Sequence, residues 1–173
     1  MEALTPPRAH RFFRAQAVCD EDLTAILEAA RWTGSARNRQ PWRLVVVRGE
    51  RLRHELARCG AYAQHVAHAP LVIGIALDDA SGSDAQFDAG RLAQALMSAA
   101  DSLGYGTCPA TIFPDENITR AGRLVRLDAR WRLRWLISLG RPAPLPKRGG
   151  RTPAIPQGRL ALETLIHDAD RPT

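Results

Sequence analysis

Cysteine is scarce in this chain, which has three cysteines among its 173 residues. Cys19, Cys59 and Cys108 are odd in number, and their spacings are not those of a metal site. We interpret them as free thiols in a reducing compartment, because secreted domains rely on paired cysteines. Cys108 has no basic residue at a diagnostic spacing, so we interpret it as a small structural residue rather than a nucleophile.

The residue combinations that mark common catalytic classes are also absent. The sequence has no carboxylate pair, no Gly-x-Ser-x-Gly elbow and no Gly-x-Gly-x-x-Gly dinucleotide loop. Its five histidines are scattered, and His65 and His68, three residues apart, lack a third ligand. We therefore predict no metal site and no catalytic side chain, which suits an enzyme whose cofactor carries the chemistry.

A long hydrophobic run is missing as well. No stretch approaches the roughly 20 apolar residues of a membrane span. The first residues also lack the apolar segment that is typical of a signal peptide. The sequence therefore predicts a cytoplasmic protein with no membrane partner.

Lysine is nearly absent, since Lys147 is the only one, and arginine supplies the rest of a formal net charge of +6. A basic balance raises the hypothesis of a nucleic-acid partner. However, abundant arginine, alanine and proline are typical of GC-rich coding sequence. No helix-turn-helix, aromatic RNA-binding strand or zinc motif accompanies the charge. We therefore predict no nucleic-acid partner.

What the sequence does contain is a series of helix and strand patterns, in a length that suits one domain over residues 1–173. We predict an N-terminal arm over 1–16 and a segment rich in proline, glycine and arginine over 141–159, before a short C-terminal element. The first helix is predicted to start with Asp20 as its N-cap. Further helices are predicted over 50–59, 61–69, 86–103 and within 114–130, and strands over 44–47, 71–77 and 131–139.

Three of these elements carry expectations about burial. The run from Leu71 to Leu77 is apolar throughout, so we expect a strand that is covered on both faces. The helix over 86–103 is apolar around most of its circumference, which predicts that it is buried. Strict alternation between Trp131 and Trp135 predicts a strand with one buried face.

The most specific pattern lies in the polar loop between the first helix and the first strand. It contains Ser35, Asn38 and Gln40, followed by Pro41-Trp42 and an apolar run. Polar loops often do no more than satisfy their own backbone groups. Here the spacing Ser-x-x-Asn-x-Gln-Pro-Trp resembles the signature of the FMN-dependent nitroreductase family. Gly34 and Arg37 depart from that signature, which usually has proline and glycine there.

The resemblance extends from about Arg8 to His167, nearly the whole chain. The other matching segments are the Asp-x-Gly helix from Asp88, the run Gly104–Phe113, Gly140-Arg141-Pro142 and the stretch Arg159–His167. It implies an α+β, nitroreductase-like fold with a central, mainly antiparallel sheet flanked by helices. It also implies a homodimer whose interface is centred on the 86–103 helix.

The activity implied by the resemblance is that of an FMN-dependent oxidoreductase. In a ping-pong sequence, NAD(P)H gives hydride to flavin N5 and leaves. A small acceptor such as a nitro compound, quinone, flavin or enone then takes its place. FMN and NAD(P)H are thus the expected cofactor and reductant, and a small molecule the expected substrate.

The resemblance also assigns cofactor-binding positions. Arg8 would hold the flavin phosphate, and Arg11 would offset the negative charge of reduced flavin around N1 and O2. A backbone N–H from Cys108–Ala110 would face N5. The other positions in the arm, the polar loop, the Cys-Pro segment and the C-terminal stretch are Ala9, Ser35, Ala36, Asn38, Gln40, Pro109, Ala110 and Arg159.

Several positions depart from the family pattern. Pro7 and Ala9 stand where the family has a base and a hydroxyl, and Ala161 stands where proline is usual. The phosphate would then depend on Arg8 and on one of Arg148, Arg151 and Arg159. Two alternatives stay open: a flavin-dependent oxidase or dehydrogenase of a biosynthetic pathway, and a non-catalytic or flavin-deficient homologue.

Overall fold

A four-stranded sheet forms the centre of the computed structural model, which describes residues 8–145, 158–167 and 169. The strand order is β1-β2-β4-β3, and every neighbouring pair is antiparallel, which confirms the expected mainly antiparallel sheet. The strands are β1 (Trp42–Val47), β2 (Leu71–Asp78), β3 (Gly106–Thr111) and β4 (Trp131–Gly140). Strand β3 was not predicted, because its glycine and proline residues are uncommon in strands.

Helices cover both faces of this sheet. The helices in the described part of the chain are α1 (Asp20–Arg31), α2 (Glu50–Ala57), α3 (Gln64–Ala67), α4 (Asp84–Ser102), α5 (Glu116–Leu124) and α6 (Leu162–Leu165). One core, which includes Ile26, Ile73 and Leu92, lies between the sheet and helices α1 and α4. A second core, on the opposite face, packs α2, α3 and α5 against residues such as Val72 and Leu133.

The two middle strands show how the burial predictions fared. In β2, all residues from Leu71 to Leu77 are buried, which confirms a strand covered on both faces. In β4, burial alternates only in the first residues, and from Leu136 onward the strand is buried on both faces. The prediction of one buried face is therefore wrong for the second half of β4. That half lies between β2 and β3, where helices cover both sides.

Helix α4 is buried on one face only, so the prediction that it is buried as a whole is wrong for the single chain. Leu92, Leu96 and Ala100 are buried in the core that includes α1 and the sheet. Phe87 on the same helix is 72% exposed, and Gln94 is exposed. Alanine and glycine made the remaining faces look apolar in the sequence, although neither residue requires burial.

The start of α1 also differs from the prediction. Cys19 is the N-cap residue and forms no side-chain capping bond, whereas Asp20 is the first helical residue. The Asp20 carboxylate forms an ion pair with Arg48 instead. A carboxylate in the first turn still interacts favourably with the helix dipole.

The N-terminal arm crosses one end of the sheet at two glycines. A Cβ atom added to Gly106 would lie 2.7 Å from the His10 ring, and one added to Gly140 would lie 2.6 Å from Pro70 and 3.1 Å from the Phe13 ring. At Gly106 only glycine permits so close an approach of the arm, whereas at Gly140 the tightest contact is with Pro70. The N–H of His10 donates to the Thr107 carbonyl at 2.8 Å, and the N–H of Arg14 donates to the Arg141 carbonyl at 2.9 Å.

A buried tyrosine ties α1 to the turn before β3. The hydroxyl of Tyr105 donates to the Asp22 carboxylate at 2.6 Å, and the Arg141 guanidinium lies 3.9 Å from the centre of the tyrosine ring. Burial raises the pKa of Tyr105 to about 12, and the hydrogen bond to Asp22 adds to this. The same hydrogen bond lowers the pKa of Asp22. This contact holds the segment on which the arm docks.

Candidate functional site

The polar loop between α1 and β1 has an unusual backbone. Ala36–Asn38 form a 3₁₀ turn, and Arg37, Asn38 and Gln40 have φ values of 55°, 54° and 48°. Non-glycine residues seldom adopt this left-handed region, and clusters of them often mark functional loops. The loop therefore stores strain that surrounding contacts must offset.

Helix α4 supplies most of those contacts. The buried Asp88 carboxylate accepts a hydrogen bond from the Ala36 N–H at 2.9 Å, and Arg91 donates to the Gly34 carbonyl at 2.9 Å. Arg91 also lies 3.7 Å from Asp88. The loop is thus fixed to α4 by a carboxylate and a guanidinium that lie one helical turn apart.

Within the loop, the side chains also hold one another. The Ser35 hydroxyl accepts the Gln40 N–H at 2.8 Å, and the Gln40 side-chain amide donates to the Asn38 side-chain oxygen at 3.1 Å. Asn38 and Gln40 remain exposed. Their remaining donors and acceptors are therefore presented to solvent in a fixed arrangement.

A second group of predicted residues lies where the arm meets β3. Ala9 bridges to Thr107 in a parallel arrangement, and both Arg8 and Ala9 are exposed. Because the Thr107 carbonyl faces the arm, every second residue of β3 directs its backbone groups to the outer edge. Pro109 has no N–H, and Ala110 pairs with Leu136 of β4. The first outward N–H after the arm therefore belongs to Thr111.

A cavity of about 520 Å³ lies beside this edge, between the arm and α3. Arg11 is its cation, and aromatic rings supply much of the rest of its wall. Its lining comprises Arg11, Phe12, Phe13, Tyr62, Gln64, His65, His68, Ala143 and Pro144. A flat, partly anionic molecule matches such walls, because rings stack on its faces and a guanidinium binds its negative edge.

His65 contributes a buried polar atom to this region. Its Nε2 has no hydrogen-bond partner among the described residues. Burial lowers the pKa of His65, a hydrogen bond with the Cys108 backbone opposes that change, and the nearby Arg11 adds to it. A buried nitrogen without a partner indicates a position where a bound molecule or water completes the contacts.

Cys108 lies close to the same cavity but has the properties of a structural residue. Its side chain is 1% exposed, and burial raises the pKa of its thiol, which Arg11 only partly opposes. Since the thiolate is the reactive form, this environment disfavours nucleophilic chemistry. The three cysteines are free, as predicted.

Comparison with known proteins places the chain in a family. The model of the Nitroreductase family matches residues 8–68 and 56–141, which is more than half of the sequence. The chain belongs to the nitroreductase family. It is accordingly an enzyme of the oxidoreductase class, and its fold is the nitroreductase fold that the signature loop had indicated.

Individual relatives agree with this family at low identity. A provisionally named NADH dehydrogenase/NAD(P)H nitroreductase of Methanothermobacter thermautotrophicus is 27% identical over 150 residues, covering 84% of this chain and 78% of that protein. An FMN-dependent nitroreductase from Clostridium difficile R20291 superposes with a TM-score of 0.76 at 22% identity, covering 83% of this chain and 88% of that one.

A third relative has a bound ligand in its structure. The NADPH:FMN oxidoreductase from Vibrio harveyi, complexed with NAD⁺, has a TM-score of 0.76 at 21% identity. The match covers 96% of this chain and 75% of that one. At such identities the solved structures establish the shared fold.

In this nitroreductase-family chain, the loop and the arm lie at opposite ends of α4. The loop is bound to Asp88, whereas the segment leading to β3 is bound through the Tyr105 N–H to the carbonyl of Ala100. Twelve residues separate these two positions, so they lie about 18 Å apart along the helix axis. One chain therefore forms two separate groups of predicted site residues.

The remaining predicted positions are in the C-terminal part. Arg159 is exposed, and its guanidinium donates to the neighbouring Gly158 carbonyl at 2.8 Å. Pro7, Arg148 and Arg151 lie outside the described residues. In the part of the chain that the structure covers, no group of three potential metal ligands occurs and no helix has the length and apolar character needed to span a membrane.

The sequence did not identify three residues of the candidate site, namely Asp88, Thr111 and His65. Asp88 was recognised only as part of a helix match, although a buried acid within an apolar helix is itself a signal for a structural or functional role. The outward direction of the Thr111 N–H follows from the alternation of backbone groups along β3, and this can be worked out only when the pairing of β3 is known. His65 gave no usable signal, because its partners are far away in sequence.

Proposed function

We propose that this protein is an NAD(P)H-dependent FMN oxidoreductase that reduces a small acceptor such as a nitro compound, quinone, flavin or enone. The observation that carries the proposal is the cavity beside the outer edge of β3, where Arg11 faces a largely aromatic wall. Its family membership and the FMN- and NAD(P)H-dependent names of its relatives support the same function.

The donor set of the chain fits FMN. A flavin needs stacking surfaces for its ring, donors for its ring nitrogens and oxygens, and cations for its phosphate. The aromatic cavity with Arg11 would meet the first need, and for the second we assign the Thr111 N–H, whose outward direction follows from the alternation of β3. Arg8 on the arm and Arg159 at the C-terminal end are our candidates for the third.

The remaining predicted residues receive roles that match their positions. Ser35, Ala36, Asn38 and Gln40 would orient the ring and ribityl chain with side-chain and backbone groups. Ala9, Pro109 and Ala110 would form the edge against which the ring packs. We assign the contact to flavin N5 to the Thr111 N–H, since Cys108 and Ala110 direct theirs to β4.

When bound, FMN supplies the redox chemistry by accepting and then donating a hydride. The protein would bind and orient the ring, and Arg11 would stabilise the negative charge of its reduced form. The sequence offers no recognisable acid–base pair, so the protons that the acceptor takes up would come from water.

A homodimer is part of the proposal. The loop is anchored at Asp88 and the segment on which the arm docks is anchored at Ala100, about 18 Å further along α4, so we expect that a single flavin does not reach both groups within one chain. A two-fold arrangement around α4 would bring the loop of one copy to the arm of the other. Exposed Phe87 on α4 is consistent with a covered face of this kind.

Flavin binding tests the cofactor assignment. The fluorescence of FMN and of riboflavin should be quenched when either flavin is titrated with the purified protein. FMN should bind more tightly, because only FMN offers a phosphate to Arg8 and Arg159. Arg159→Ala should weaken FMN binding by roughly ten- to a hundredfold, the value of one charge-assisted hydrogen bond, and leave riboflavin unchanged. A protein that stays colourless with added FMN would instead be the flavin-deficient homologue.

A further inference from the structure

A groove lined by arginines lies next to the Arg11 cavity. Its volume is about 550 Å³, and its walls include Arg14, Arg48, Glu50, Arg53 and His54. We propose that this arginine groove binds a phosphate group of the nicotinamide dinucleotide. The inference rests on the proposed function and names the site through which the reductant is held.

The charges of the groove favour an anion. Its walls contain three arginines and one acid, Glu50. Arg48 is partly neutralised by its ion pair with Asp20, and His54 lies 3.8 Å from Glu50. The other two arginines, Arg14 and Arg53, have no carboxylate partner among the described ion pairs.

Arg53 shows an unmet hydrogen-bonding need. Its Nε is buried and has no partner among the described residues. One terminal nitrogen donates to the Arg48 carbonyl, which fixes the orientation of the guanidinium. Nε itself is covered by protein atoms, so a phosphate in the groove would contact the terminal nitrogens, for which a phosphate oxygen is a strong acceptor.

Arg14 is held in place by the backbone at the opposite wall. Its Nε donates to the Pro142 carbonyl at 3.1 Å, and its N–H donates to the Arg141 carbonyl at 2.9 Å. These contacts use Nε and leave the terminal nitrogens for another partner. A guanidinium that is already oriented loses little conformational entropy when it binds an anion.

The groove adjoins the cavity. Phe13 and His68 belong to the walls of both. A dinucleotide whose nicotinamide ring stacks on a flavin held in the cavity would therefore have the groove within reach of its phosphate groups. A nicotinamide dinucleotide has this layout, with a ring at one end, a pyrophosphate in the middle and, in NADPH, an additional phosphate on the adenosine ribose.

Steady-state kinetics of the FMN-loaded enzyme test the inference. Arg14→Gln and Arg53→Gln should each raise the KM for a dinucleotide by roughly two- to tenfold, since the lost contacts are partly screened by solvent. A rise for NADPH alone assigns the groove to the ribose phosphate, and a rise for both NADPH and NADH assigns it to the pyrophosphate. Arg51→Gln is the matched control, because Arg51 lies on the same helix, is 92% exposed and is absent from the groove lining.

Calorimetric titration with adenosine 2′,5′-bisphosphate separates this inference from the proposed function, because it requires no turnover. We expect binding to the wild type and to Arg51→Gln, and weaker binding to Arg14→Gln and Arg53→Gln, at unchanged flavin content and thermal stability. If neither dinucleotide is oxidised but this pattern holds, the groove is a phosphate site and the proposed function fails. Unchanged KM values and unchanged probe binding in both variants would overturn the inference. A loss of FMN from the two variants, with the KM for the dinucleotides unchanged, would overturn it as well.

Discussion

Arg37 has a backbone conformation that is unfavourable for a residue with a side chain. Its φ of 55° and ψ of 24° lie in the left-handed region, where a side chain costs about 1–2 kcal/mol. Glycine is usual at this position in the family pattern, and this backbone explains why. The arginine side chain is exposed, so the cost is offset by contacts of its neighbours in the loop, such as Ala36 with Asp88.

We predict that Arg37→Gly stabilises the protein. The relief of strain exceeds the extra entropy of glycine in the unfolded chain, so the free energy of unfolding should rise by about 0.5–1 kcal/mol. Urea unfolding measures this. Arg39→Gly is the control, because Arg39 has a right-handed φ of −68° and binds Asp84, so the same substitution should destabilise there. If Arg37→Gly lowers the free energy of unfolding, the inference that the backbone is strained at this position is wrong.

We expect Arg11 to stabilise the negative charge of the reduced flavin and to contribute little to the folding of the protein. It is exposed on the arm and faces the cavity that we assign to the flavin ring. Arg11→Met should lower the reduction potential of bound FMN, because it removes about 1–2 kcal/mol of stabilisation from the anionic reduced form. For a two-electron couple this corresponds to about 20–40 mV.

A spectroelectrochemical titration against a reference dye measures that shift. Arg11→Lys keeps the charge and should keep most of the potential, whereas Arg11→Met should not. An unchanged potential in fully flavinated Arg11→Met would exclude the role.

At the scale of elements, the contact between α4 and the polar loop sets the shape of half of the site. Asp88 is 3% exposed and accepts the Ala36 N–H. We predict that Asp88→Ala lowers the free energy of unfolding by about 1–3 kcal/mol, because it leaves the partly buried Ala36 N–H without its partner. Asp88→Asn keeps an acceptor and should cost less.

Amide hydrogen exchange locates the effect of these two variants. Exchange of the Ala36–Asn38 segment should speed up in Asp88→Ala while the β2 amides stay protected. Equal acceleration in both regions would mean that Asp88 supports the core as a whole rather than the loop.

The elements also show what the sequence could predict. The apolar run of β2 predicted its burial correctly, because a strand that is covered on both faces consists of apolar residues throughout. Strand β3 was missed because its role depends on β4 and the arm, which supply partners 24 or more residues away. The same reason hid Thr111 and His65. The signature loop was recognised by resemblance, whereas its strain and its link to Asp88 needed the structure.

At the scale of the whole molecule, several apolar side chains remain uncovered in one chain. Phe87 on α4 is exposed, and so are Leu162, Leu165 and Ile166 in the C-terminal stretch. Burial of each large apolar side chain contributes about 1.5–3 kcal/mol. A second copy of this chain that covers them would also bring the separated loop and arm together.

We therefore predict a homodimer in solution. Sedimentation at micromolar protein should give twice the chain mass of 19.0 kDa. Phe87→Glu should shift the equilibrium toward monomer and weaken FMN binding at the same time, because the site is shared. A wild-type monomer that binds FMN with full affinity would contradict the shared site.

We infer that the protein uses a bound flavin to take hydride from a nicotinamide dinucleotide. The most direct test is the visible spectrum of the FMN-loaded protein, recorded without oxygen before and after addition of NADPH or NADH. We predict that the flavin band bleaches with one of these reductants and returns when a quinone or nitro compound is added. A protein that retains FMN yet stays oxidised with both dinucleotides would contradict the account, and bleaching by another small substrate would identify the biosynthetic dehydrogenase instead.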